Sequence, residues 1–337
     1  MRRVLLIRYG AFGDIVMTMG AFRTIRIHHA ADHLAVLTTR PFVKLLAASG
    51  YFDDVLIDDR LKPWQFPGWW RLIRLLRRRR FDRVYDLQRN QRTRVMYTIL
   101  ASGRGVEWSG VFPGCSHYVQ DDRSVRRHIV DKLAEQLSAA GIAEMLAPDI
   151  SWLTGDVARF DLPRRYALIV PGSAPHRPEK RARADCFVGI GFHLLDADIV
   201  PIVLGTGRER EQIDRIRAGC PNAIDLSDRT SFGDIAELAR GAVGAIGNDT
   251  GAMHLIATAG CASLVLFSAA SDPLQIAPRG RRVRIVQRET LSTLSADQVI
   301  EAWEAMLSEQ EGFPPRTATE PDEPPGRVID VRRIRKD

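Results

Sequence analysis

The first loop that can do chemistry follows the apolar run Val4–Ile7 and reads Arg-Tyr-Gly-Ala-Phe-Gly-Asp. Its glycines, Gly10 and Gly13, let a ligand approach the backbone closely. Its last residue, Asp14, stands where a helix is expected to begin. A carboxylate at this place can take a proton from a hydroxyl group, or it can cap the helix. The loop lacks the Gly-x-Gly-x-x-Gly spacing, which disfavours a dinucleotide site.

A second loop joins a strand to a helix through small residues and reads Gly-Asn-Asp-Thr-Gly-Ala-Met-His over 247–254. The exposed N–H groups and the positive end of the helix dipole make this turn a natural seat for a diphosphate. Gly251 leaves room for the phosphates, and Thr250 adds a hydroxyl donor. Asp249 would repel a phosphate, so it caps the helix or accepts hydrogen bonds from sugar hydroxyls. An ordinary capped helix without a ligand is the alternative.

Two more loops with polar residues follow predicted strands. Residues 171–181 contain three prolines and then several cations, of which Lys180 can neutralise phosphate charge. A solvated basic loop is the alternative there. Residues 205–209 read Gly-Thr-Gly-Arg-Glu. Glu209 can accept hydrogen bonds from a ribose or a base, or it can be the acidic residue that favours a helix start.

The elements that position these loops are short apolar strands alternating with helices, a pattern that predicts mostly parallel sheets. The alternation restarts at Tyr166, which predicts an α/β fold with two doubly wound domains, 1–160 and 161–308, linked within Pro148–Pro163. Ligands of such sheets bind at the carboxyl ends of the strands, where all four loops lie. The segment 309–337 is rich in Pro, Glu, Asp and Arg, so we expect it to be disordered. The predicted strands are Val4–Arg8, Leu34–Thr38, Val55–Ile57, Arg83–Asp86, Tyr166–Val170, Ile199–Leu204, Ala223–Leu226, Ala242–Ile246 and Ser263–Phe267.

The composition limits the class of protein. A chain of 337 residues, 45% of them hydrophobic, suits two soluble domains. No apolar stretch approaches the roughly 20 residues that cross a bilayer, and no signal peptide is evident, so we expect a cytoplasmic protein. The four cysteines form no Cys-x-x-Cys pair, which argues against a disulfide framework or a zinc site. The net charge of +7 favours an anionic partner.

Taken together, the four loops resemble the heptosyltransferases of glycosyltransferase family nine. The family's opening pattern, a strand and a loop that ends in Gly-Asp before an apolar helix, is matched by Val4–Asp14. Its signature Asp-Thr-Gly-x-x-His-x-x-x-x-x-Gly is matched by Asp249–Gly251 with His254 and Gly260. The resemblance implies the GT-B fold, in which two Rossmann-like domains face each other.

The resemblance also implies an inverting sugar transfer from a nucleotide diphosphate, without a metal or another cofactor. ADP-heptose would be the donor. Asp14 would be the general base, and Lys180 would stabilise the departing diphosphate. His254 has an alternative role as a hydrogen-bonded helix residue packed beneath the loop. The residues that the resemblance assigns to donor binding are Gly13, Ser173, Glu209, Asp249, Thr250, Gly251 and His254.

The sequence departs from the family pattern in two places. Ala182 and Arg183 stand where members usually have a bulky aromatic residue and a proline, and Gly205–Gly207 reads Gly-Thr-Gly where Gly-Gly-Pro is common. Two alternatives therefore stay open. The same fold can use another nucleotide sugar for another glycan or a protein acceptor, or the chain can bind a sugar nucleotide without catalysis.

Aromatic residues and arginines cluster between Pro63 and Arg94, around a helix predicted over Arg71–Arg79. This mixture suits an anionic membrane interface, where rings lie at headgroup level and cations meet phosphates. A solvated basic helix is the alternative, and no nucleic-acid-binding motif accompanies the cluster. With the family resemblance, it indicates a lipid-linked, anionic lipopolysaccharide core acceptor and peripheral contact with the inner membrane. The residues expected to face the acceptor or membrane are Trp69, Trp70, Arg71, Arg74, Arg77 and Arg78.

Overall fold

The chain divides into two compact units, one of residues 1–152 with 321–337 and the other of residues 153–320. The division falls within the segment that the sequence predicts as the linker. The computed structural model describes residues 1–61, 64–101, 105–122, 124–173, 177–308 and 327–329.

The helices and strands follow one another along the chain as the sequence pattern predicts for an α/β fold. The strands are β1 (Arg3–Ile7), β2 (His33–Thr38), β3 (Asp54–Ile57), β4 (Arg83–Asp86), β5 (Glu107–Gly110), β6 (His117–Tyr118), β7 (Tyr166–Val170), β8 (Val200–Val203), β9 (Ile224–Asp225), β10 (Gly244–Asn248), β11 (Ser263–Ser268), β12 (Val283–Arg288) and β13 (Arg327–Ile329). The helices are α1 (Phe12–His28), α2 (Val43–Ala48), α3 (Phe66–Arg79), α4 (Gln91–Leu100), α5 (Ile129–Ala139), α6 (Ala184–Asp196), α7 (Arg210–Gly219), α8 (Phe232–Gly241), α9 (Gly251–Thr258), α10 (Pro273–Ile276) and α11 (Ala296–Ser308).

The strands form two sheets, and every pair of neighbouring strands described in them runs parallel. The sheet of the first unit has the order β13-β3-β2-β1-β4-β5-β6, and that of the second has the order β12-β11-β10-β7-β8-β9. Parallel neighbours need crossover connections, which the intervening helices supply. The predicted α/β fold with two doubly wound sheets is confirmed.

In each sheet the strand order reverses at one place. In the first unit the chain builds outward from β1 through β2 and β3, and β4 is then added on the other side of β1. In the second unit the chain builds from β7 through β8 and β9, and β10 is then added on the other side of β7. The loops that leave the two strands at such a reversal diverge, and ligands of open α/β sheets bind in the resulting crevice.

The central strands are apolar on both faces because both faces are covered. In β7, Ala167 and Ile169 pack into one core, and Leu168 and Val170 pack into the core on the opposite face. Successive side chains of a strand point to opposite faces, so a strand covered on both sides requires a continuous apolar run. The run Val4–Ile7 in β1 is fully buried for the same reason.

Some elements differ from the sequence prediction. The second sheet does not end at the predicted strand Ser263–Phe267, because β12 pairs with β11 and extends it. β12 mixes apolar and polar residues, which is a weaker signal than a continuous apolar run. The elements α4, β5 and β6 are likewise additional. α3 begins at Phe66 rather than at Arg71, since Pro67 fits the first turn of a helix, where its missing N–H has no partner to lose.

The composition of the carboxyl-terminal segment predicts disorder. Of residues 309–337, the structure describes Arg327–Ile329, and these three residues form β13 beside β3. The rest of that segment lies outside the described residues.

Two further expectations from the sequence concern disulfide bonds and membrane-spanning segments. All four cysteines are free thiols, and all are buried. Within the described ranges, no helix combines the length and the apolar character needed to cross a membrane.

Candidate functional site

The reversal between β7 and β10 brings an ion pair to the carboxyl edge of the second sheet. Lys180 ends the short 3-10 turn Pro178–Lys180 in the loop after β7, and Asp249 follows β10. The Nζ of Lys180 lies 2.6 Å from the Oδ2 of Asp249, and the two side chains are 14% and 6% exposed. A charged hydrogen bond of this length is strong in such a desolvated place. The two residues are 69 positions apart in the sequence, so only the fold brings them together.

The ion pair stands directly before the first turn of α9. Thr250 is the N-cap residue, and its side chain makes no capping hydrogen bond. Gly251 is the first helical residue, where backbone N–H groups have no acceptor within the helix and the dipole is positive. The cation of Lys180 adds to that field and offsets the charge of Asp249. This end of α9 therefore suits a diphosphate. His254, one turn further on, is only 4% exposed.

Asn248, the last residue of β10, fastens both ends of the loop that contains Lys180. Its Nδ2 donates to the carbonyl oxygen of Pro171 at 2.5 Å, and its Oδ1 accepts from the backbone N–H of Ala182 at 3.1 Å. The side chain is completely buried. Without this amide, the backbone carbonyl of Pro171 and the backbone N–H of Ala182 would have no hydrogen-bond partner in the side chain of residue 248. Asn248 therefore determines where the loop leaves the sheet and where it returns.

Ser173 is part of the same loop and is almost completely buried. Its hydroxyl donates to the carbonyl oxygen of Arg177 at 3.1 Å and accepts from the Nε of Arg181 at 3.0 Å. The hydroxyl of the predicted donor-binding serine thus holds the loop together through Arg177 and through Arg181, the residue after Lys180.

Glu209 stands in the loop after β8, next to the loop after β7. Its Oε2 accepts from both the backbone N–H and the hydroxyl of Thr206, at 2.9 and 2.6 Å. Through these bonds Glu209 stabilises the start of the helix, which is one of the two roles that the sequence predicts for it. A Cβ at Gly172 would lie 2.9 Å from the Cγ of Glu209. Only a glycine lets the two loops approach so closely.

The reversal between β1 and β4 places Asp14 at the carboxyl edge of the first sheet. The Oδ2 of Asp14 accepts from the backbone N–H of Ala11 at 3.1 Å, so the side chain caps the start of α1. Its Oδ1 lies 3.4 Å from the Nη2 of Arg8. The Asp14 side chain is 39% exposed, whereas that of Arg8 is 5% exposed. Each oxygen thus has a partner while more than a third of the side chain stays exposed, so both predicted roles, cap and base, remain compatible with the structure. Gly13 is buried beside it in α1.

Asp86 ends β4 and is fully buried next to Arg8. Its Oδ1 accepts from the backbone N–H groups of Gln88 and Arg89, at 3.1 and 2.9 Å. Burial raises the pKa of Asp86 to about 6. Arg89 adopts a left-handed backbone with φ of 55°, and its side chain pairs with Asp121 at 2.8 Å. A chain of buried charges therefore lies behind the Asp14 carboxylate.

The helix α3 separates the two tryptophans that the sequence groups together. Trp69 faces inward: its Nε1 donates to the carbonyl oxygen of Leu61 at 3.1 Å, and the guanidinium of Arg92 lies 4.0 Å from its ring. Trp70 is 61% exposed, with the guanidinium of Arg74 lying 5.0 Å from its ring. The exposed face of α3, which we call the α3 face, consists of Phe66, Trp70, Arg71, Arg74, Arg77 and Arg78.

Trp69 does not face outward as predicted, since it packs inward. The other predicted site residues fall into three groups. Gly13 and Asp14 lie at the edge of the first sheet, and the α3 face lies on the surface of the first unit. The group at the edge of the second sheet is Ser173, Lys180, Glu209, Asp249, Thr250, Gly251 and His254.

The model of glycosyltransferase family 9, the heptosyltransferases, matches residues 69–303, which is well over half of the chain. The protein belongs to glycosyltransferase family 9. The matched range includes every predicted site residue of the second unit and the whole α3 face except Phe66. Asp14 precedes it. No curated protein matches the chain significantly.

Solved structures support the fold of this family 9 chain along most of its length. A glycosyl transferase of family 9 from Veillonella parvula is 19% identical with a TM-score of 0.76, covering 91% of this chain and 97% of its own. The E. coli ADP-heptose lipopolysaccharide heptosyltransferase II is 17% identical with a TM-score of 0.73, covering 93% and 100%. The E. coli heptosyltransferase WaaC with ADP is 18% identical with a TM-score of 0.67, covering 90% and 99%. The two doubly wound sheets are those of the GT-B heptosyltransferase structures.

The sequence pattern does not single out two polar residues of the candidate site. Asn248 and Arg8 both stand at the end of a buried central strand, and that position was the available signal. Their role depends on backbone groups that lie far away in the sequence, so no local pattern reveals it.

Replacing Asn248 by alanine should loosen the loop over 171–182 more than it loosens the rest of the protein. Each buried backbone group left without a partner costs about 1–3 kcal/mol. We expect trypsin to cleave after Lys180 and Arg181 faster in Asn248→Ala than in the wild type, as mass spectrometry of the fragments would show. Gln136→Ala is the matched control, because Gln136 is a buried amide that donates to the carbonyls of Asp86 and Ser109 in the first unit. Equal cleavage in both variants would contradict the role of Asn248.

Replacing Asp86 by asparagine should change how stability depends on pH. The folded carboxyl, with a pKa of about 6, binds its proton more tightly than the unfolded one, with a pKa of about 4. The wild type therefore loses stability as the pH rises through this window, by about 3 kcal/mol in all. The amide in Asp86→Asn does not titrate, so the variant should not lose this stability. The free energy of unfolding of the variant minus that of the wild type should therefore rise between pH 4 and pH 7. Urea denaturation at both pH values measures it, and a difference independent of pH would contradict it.

Proposed function

We propose that this family 9 protein transfers a heptose or a related sugar from a nucleotide diphosphate to a lipid-linked, anionic lipopolysaccharide core acceptor. The observation that carries the proposal is the buried Lys180–Asp249 ion pair at the start of α9. Two similar E. coli structures are described as an ADP-heptose lipopolysaccharide heptosyltransferase and a heptosyltransferase with ADP. ADP-heptose is therefore the first donor to test.

At the donor end, the leaving diphosphate gains charge as the bond to the sugar breaks. The N–H groups of Thr250 and Gly251, the dipole of α9 and the cation of Lys180 are fixed in place before the reaction. Preorganised groups of this kind stabilise developing charge without having to rearrange. Asp249 and Glu209 are assigned to sugar hydroxyls and to the nucleoside, each through lone pairs beyond those already engaged. We propose that these groups take the place that a metal ion would otherwise have, so that the transfer is metal-independent.

At the acceptor end, we assign Asp14 as the general base. As the acceptor oxygen attacks the anomeric carbon, the hydroxyl proton passes to the Asp14 carboxylate and the bond from that carbon to the diphosphate breaks. Attack opposite to the leaving group inverts the configuration of the sugar. The Asp14 side chain is 39% exposed, so an acceptor hydroxyl can reach it from solvent.

Replacing Asp14 by asparagine should remove most of the transfer and leave donor binding intact. The amide cannot accept the proton, and general base catalysis contributes about 10²–10⁴-fold. Transfer is measured with ADP-heptose and a lipopolysaccharide core acceptor. Donor binding is measured as the rise in thermal stability with ADP-heptose, since a ligand of the folded state stabilises it.

The matched control for that experiment is Asp234→Asn. Asp234 is also the third residue of a helix, accepts from its cap residue Ser231 and pairs with an arginine, Arg159. The Asp234→Asn variant should lose the stability that this helix cap provides but keep its transfer activity. Undiminished transfer by Asp14→Asn would show that Asp14 is not the general base.

The thermal stability measurements also test the donor. Stabilisation by UDP or GDP sugars alone would show that the donor is not ADP-heptose. Stabilisation without any transfer would favour a non-catalytic sugar-nucleotide-binding protein.

We also propose that the α3 face places the protein on the anionic membrane that holds the acceptor. Its buried side, Leu72, Ile73 and Leu76, anchors the helix to the first unit, so the arginines and Trp70 form a fixed surface. Each cation near an anionic bilayer contributes about 1 kcal/mol, and an exposed ring suits the headgroup region. The face thus combines charge complementarity with an interfacial aromatic residue.

Replacing three arginines of the α3 face by glutamine should weaken binding to anionic vesicles by about 100-fold, because three contributions of about 1 kcal/mol are lost. The variant is Arg71→Gln, Arg74→Gln, Arg78→Gln. Sedimentation with vesicles containing phosphatidylglycerol measures binding, and pure phosphatidylcholine vesicles give the baseline. The control triple Arg215→Gln, Arg217→Gln, Arg281→Gln removes the same charge from exposed sites of the second unit. Equal losses in both triples would show that net charge, not the α3 face, governs binding.

A further inference from the structure

Three large aromatic side chains are exposed around the start of α3. Trp64 is 67% exposed, Phe66 is 73% exposed and Trp70 is 61% exposed. Phe66 and Trp70 are four residues apart, so they lie on the same face of the helix, and Trp64 precedes the cap residue Gln65. We call these three residues the aromatic patch. Large apolar side chains that are exposed together mark a surface that binds a partner.

The helix end that carries the aromatic patch is fastened to its surroundings. The carbonyl oxygen of Leu61 accepts from the Nε1 of Trp69 at 3.1 Å and from the Nη1 of Arg92 at 2.8 Å. Arg92 also donates to both carboxylate oxygens of the buried Asp58, at 2.7 and 2.5 Å. A Cβ at Gly68 would collide with the side chain of Leu61. The start of α3 is therefore held against the loop after β3 and against α4.

The aromatic patch lies at the carboxyl edge of the first sheet. The chain leaves β3 at Ile57 and enters α3 at Phe66, and α3 then ends at Arg79, shortly before β4 begins at Arg83 on the opposite edge. Strands β1, β2 and β3 run parallel, so the loop after β1, which contains Asp14, lies at the same edge as the start of α3.

The surroundings of the aromatic patch are strongly cationic. Between Asp59 and Asp82 the sequence contains eight lysines and arginines and no acidic residue. On the helix, the guanidinium of Arg74 lies 5.0 Å from the ring of Trp70. An anionic bilayer matches both properties, because its phosphates attract the cations and its headgroup region accommodates aromatic rings. The charge therefore favours a lipid surface as the partner of the patch.

We propose that the aromatic patch enters the headgroup region of an anionic bilayer and turns the carboxyl edge of the first sheet, with Asp14, toward the lipid. This orientation rests on the proposed membrane contact of the α3 face and adds an apolar anchor to it. Salt screens the attraction of cations to the bilayer, whereas the burial of rings is not electrostatic. An acceptor whose lipid stays in the bilayer then reaches Asp14 from the side on which the protein is docked.

Replacing two rings of the aromatic patch by serine should remove the vesicle binding that persists in high salt. The variant is Phe66→Ser, Trp70→Ser, and we expect about 10-fold weaker binding for each ring, because each gives up apolar area that the bilayer would cover. Sedimentation with phosphatidylglycerol vesicles measures binding at about 0.1 M and about 1 M salt, where the Debye length falls from about 10 to about 3 Å. The triple arginine variant of the α3 face should lose binding mainly at the lower salt concentration.

The matched control is Phe192→Ser, Leu274→Ser, which removes two exposed apolar side chains of the second unit, 50% and 65% exposed. The control should bind vesicles as the wild type does. Equal losses in the control and in the patch variant would overturn the proposal, and so would a wild type that releases the vesicles completely at about 1 M salt.

Tryptophan fluorescence shows whether the rings enter the bilayer. Of the six tryptophans, Trp64 and Trp70 are exposed. Lipids with bromine on their acyl chains quench rings that they contact, so they should quench the wild type. The variant Trp64→Phe, Trp70→Phe keeps the apolar rings, so it should still sediment with vesicles but show no such quenching. Equal quenching in both proteins, or vesicle binding by the wild type without quenching, would overturn the insertion.

The two ends of α1 report the orientation. This helix has 17 residues, which makes it about 25 Å long at roughly 1.5 Å per residue. It begins after Ala11 at the carboxyl edge and ends near Ile27 at the opposite edge, and both residues are exposed. In the Trp64→Phe, Trp70→Phe background, Ala11→Trp should gain energy transfer to dansyl-labelled headgroups and Ile27→Trp should not. Equal or reversed transfer would overturn the orientation.

A second copy of this chain is the other occupant to test. Sedimentation equilibrium without lipid should find a monomer, and a dimer that is lost in Phe66→Ser, Trp70→Ser would assign the aromatic patch to self-association and overturn the proposal. None of these measurements uses a donor or an acceptor, so they stand apart from the proposed transfer. If the arginine variant loses vesicle binding and the ring variant does not, the α3 face is retained and the anchor is overturned.

Discussion

The constraint on which the site depends is the reversal of strand order in a parallel sheet. Parallel strands all present their carboxyl ends at one edge, and at the reversal two loops leave that edge in opposite directions. Residues that are distant in the sequence then become neighbours. Lys180 meets Asp249 across 69 positions, and Arg8 meets Leu87 across 79. The same rule operates in both units, and in both it places a buried cation at the point of reversal.

Each cation is paired with a carboxylate, and this arrangement is costly for stability. Moving two charges out of water costs free energy that their attraction does not reliably return. The pairs are therefore better explained by what they position than by what they stabilise. Lys180 is held beside the first turn of α9, where an anion is favoured, and Arg8 is held beside the half-exposed carboxylate of Asp14. In the proposed transfer, both pairs supply charge that is fixed in advance of the reaction.

Further hydrogen bonds hold the segments that carry these charges. Asn248 fixes both ends of the loop with Lys180, and Ser173 closes that loop from within through Arg177 and Arg181. In the first unit, backbone carbonyls play the same part for Arg8. A side chain that is bonded to the backbone of two elements moves only when those elements move. Arg8 and the loop with Lys180 are therefore tied to the strands beneath them.

The sequence by itself determined the α/β class, the repeated strand–helix pattern and the loops that carry Asp14, Lys180 and Asp249, because continuous apolar runs and glycine-bearing turns are local signals. The family resemblance drawn from those loops was confirmed. Only the tertiary structure decided that Lys180 binds Asp249, that Asn248 and Arg8 hold their loops, and that Trp69 packs inward while Trp70 faces solvent. Mixed strands such as β12 were missed for a related reason. The partner of a strand depends on the order of the strands in the sheet, and the local pattern of residues does not contain that order.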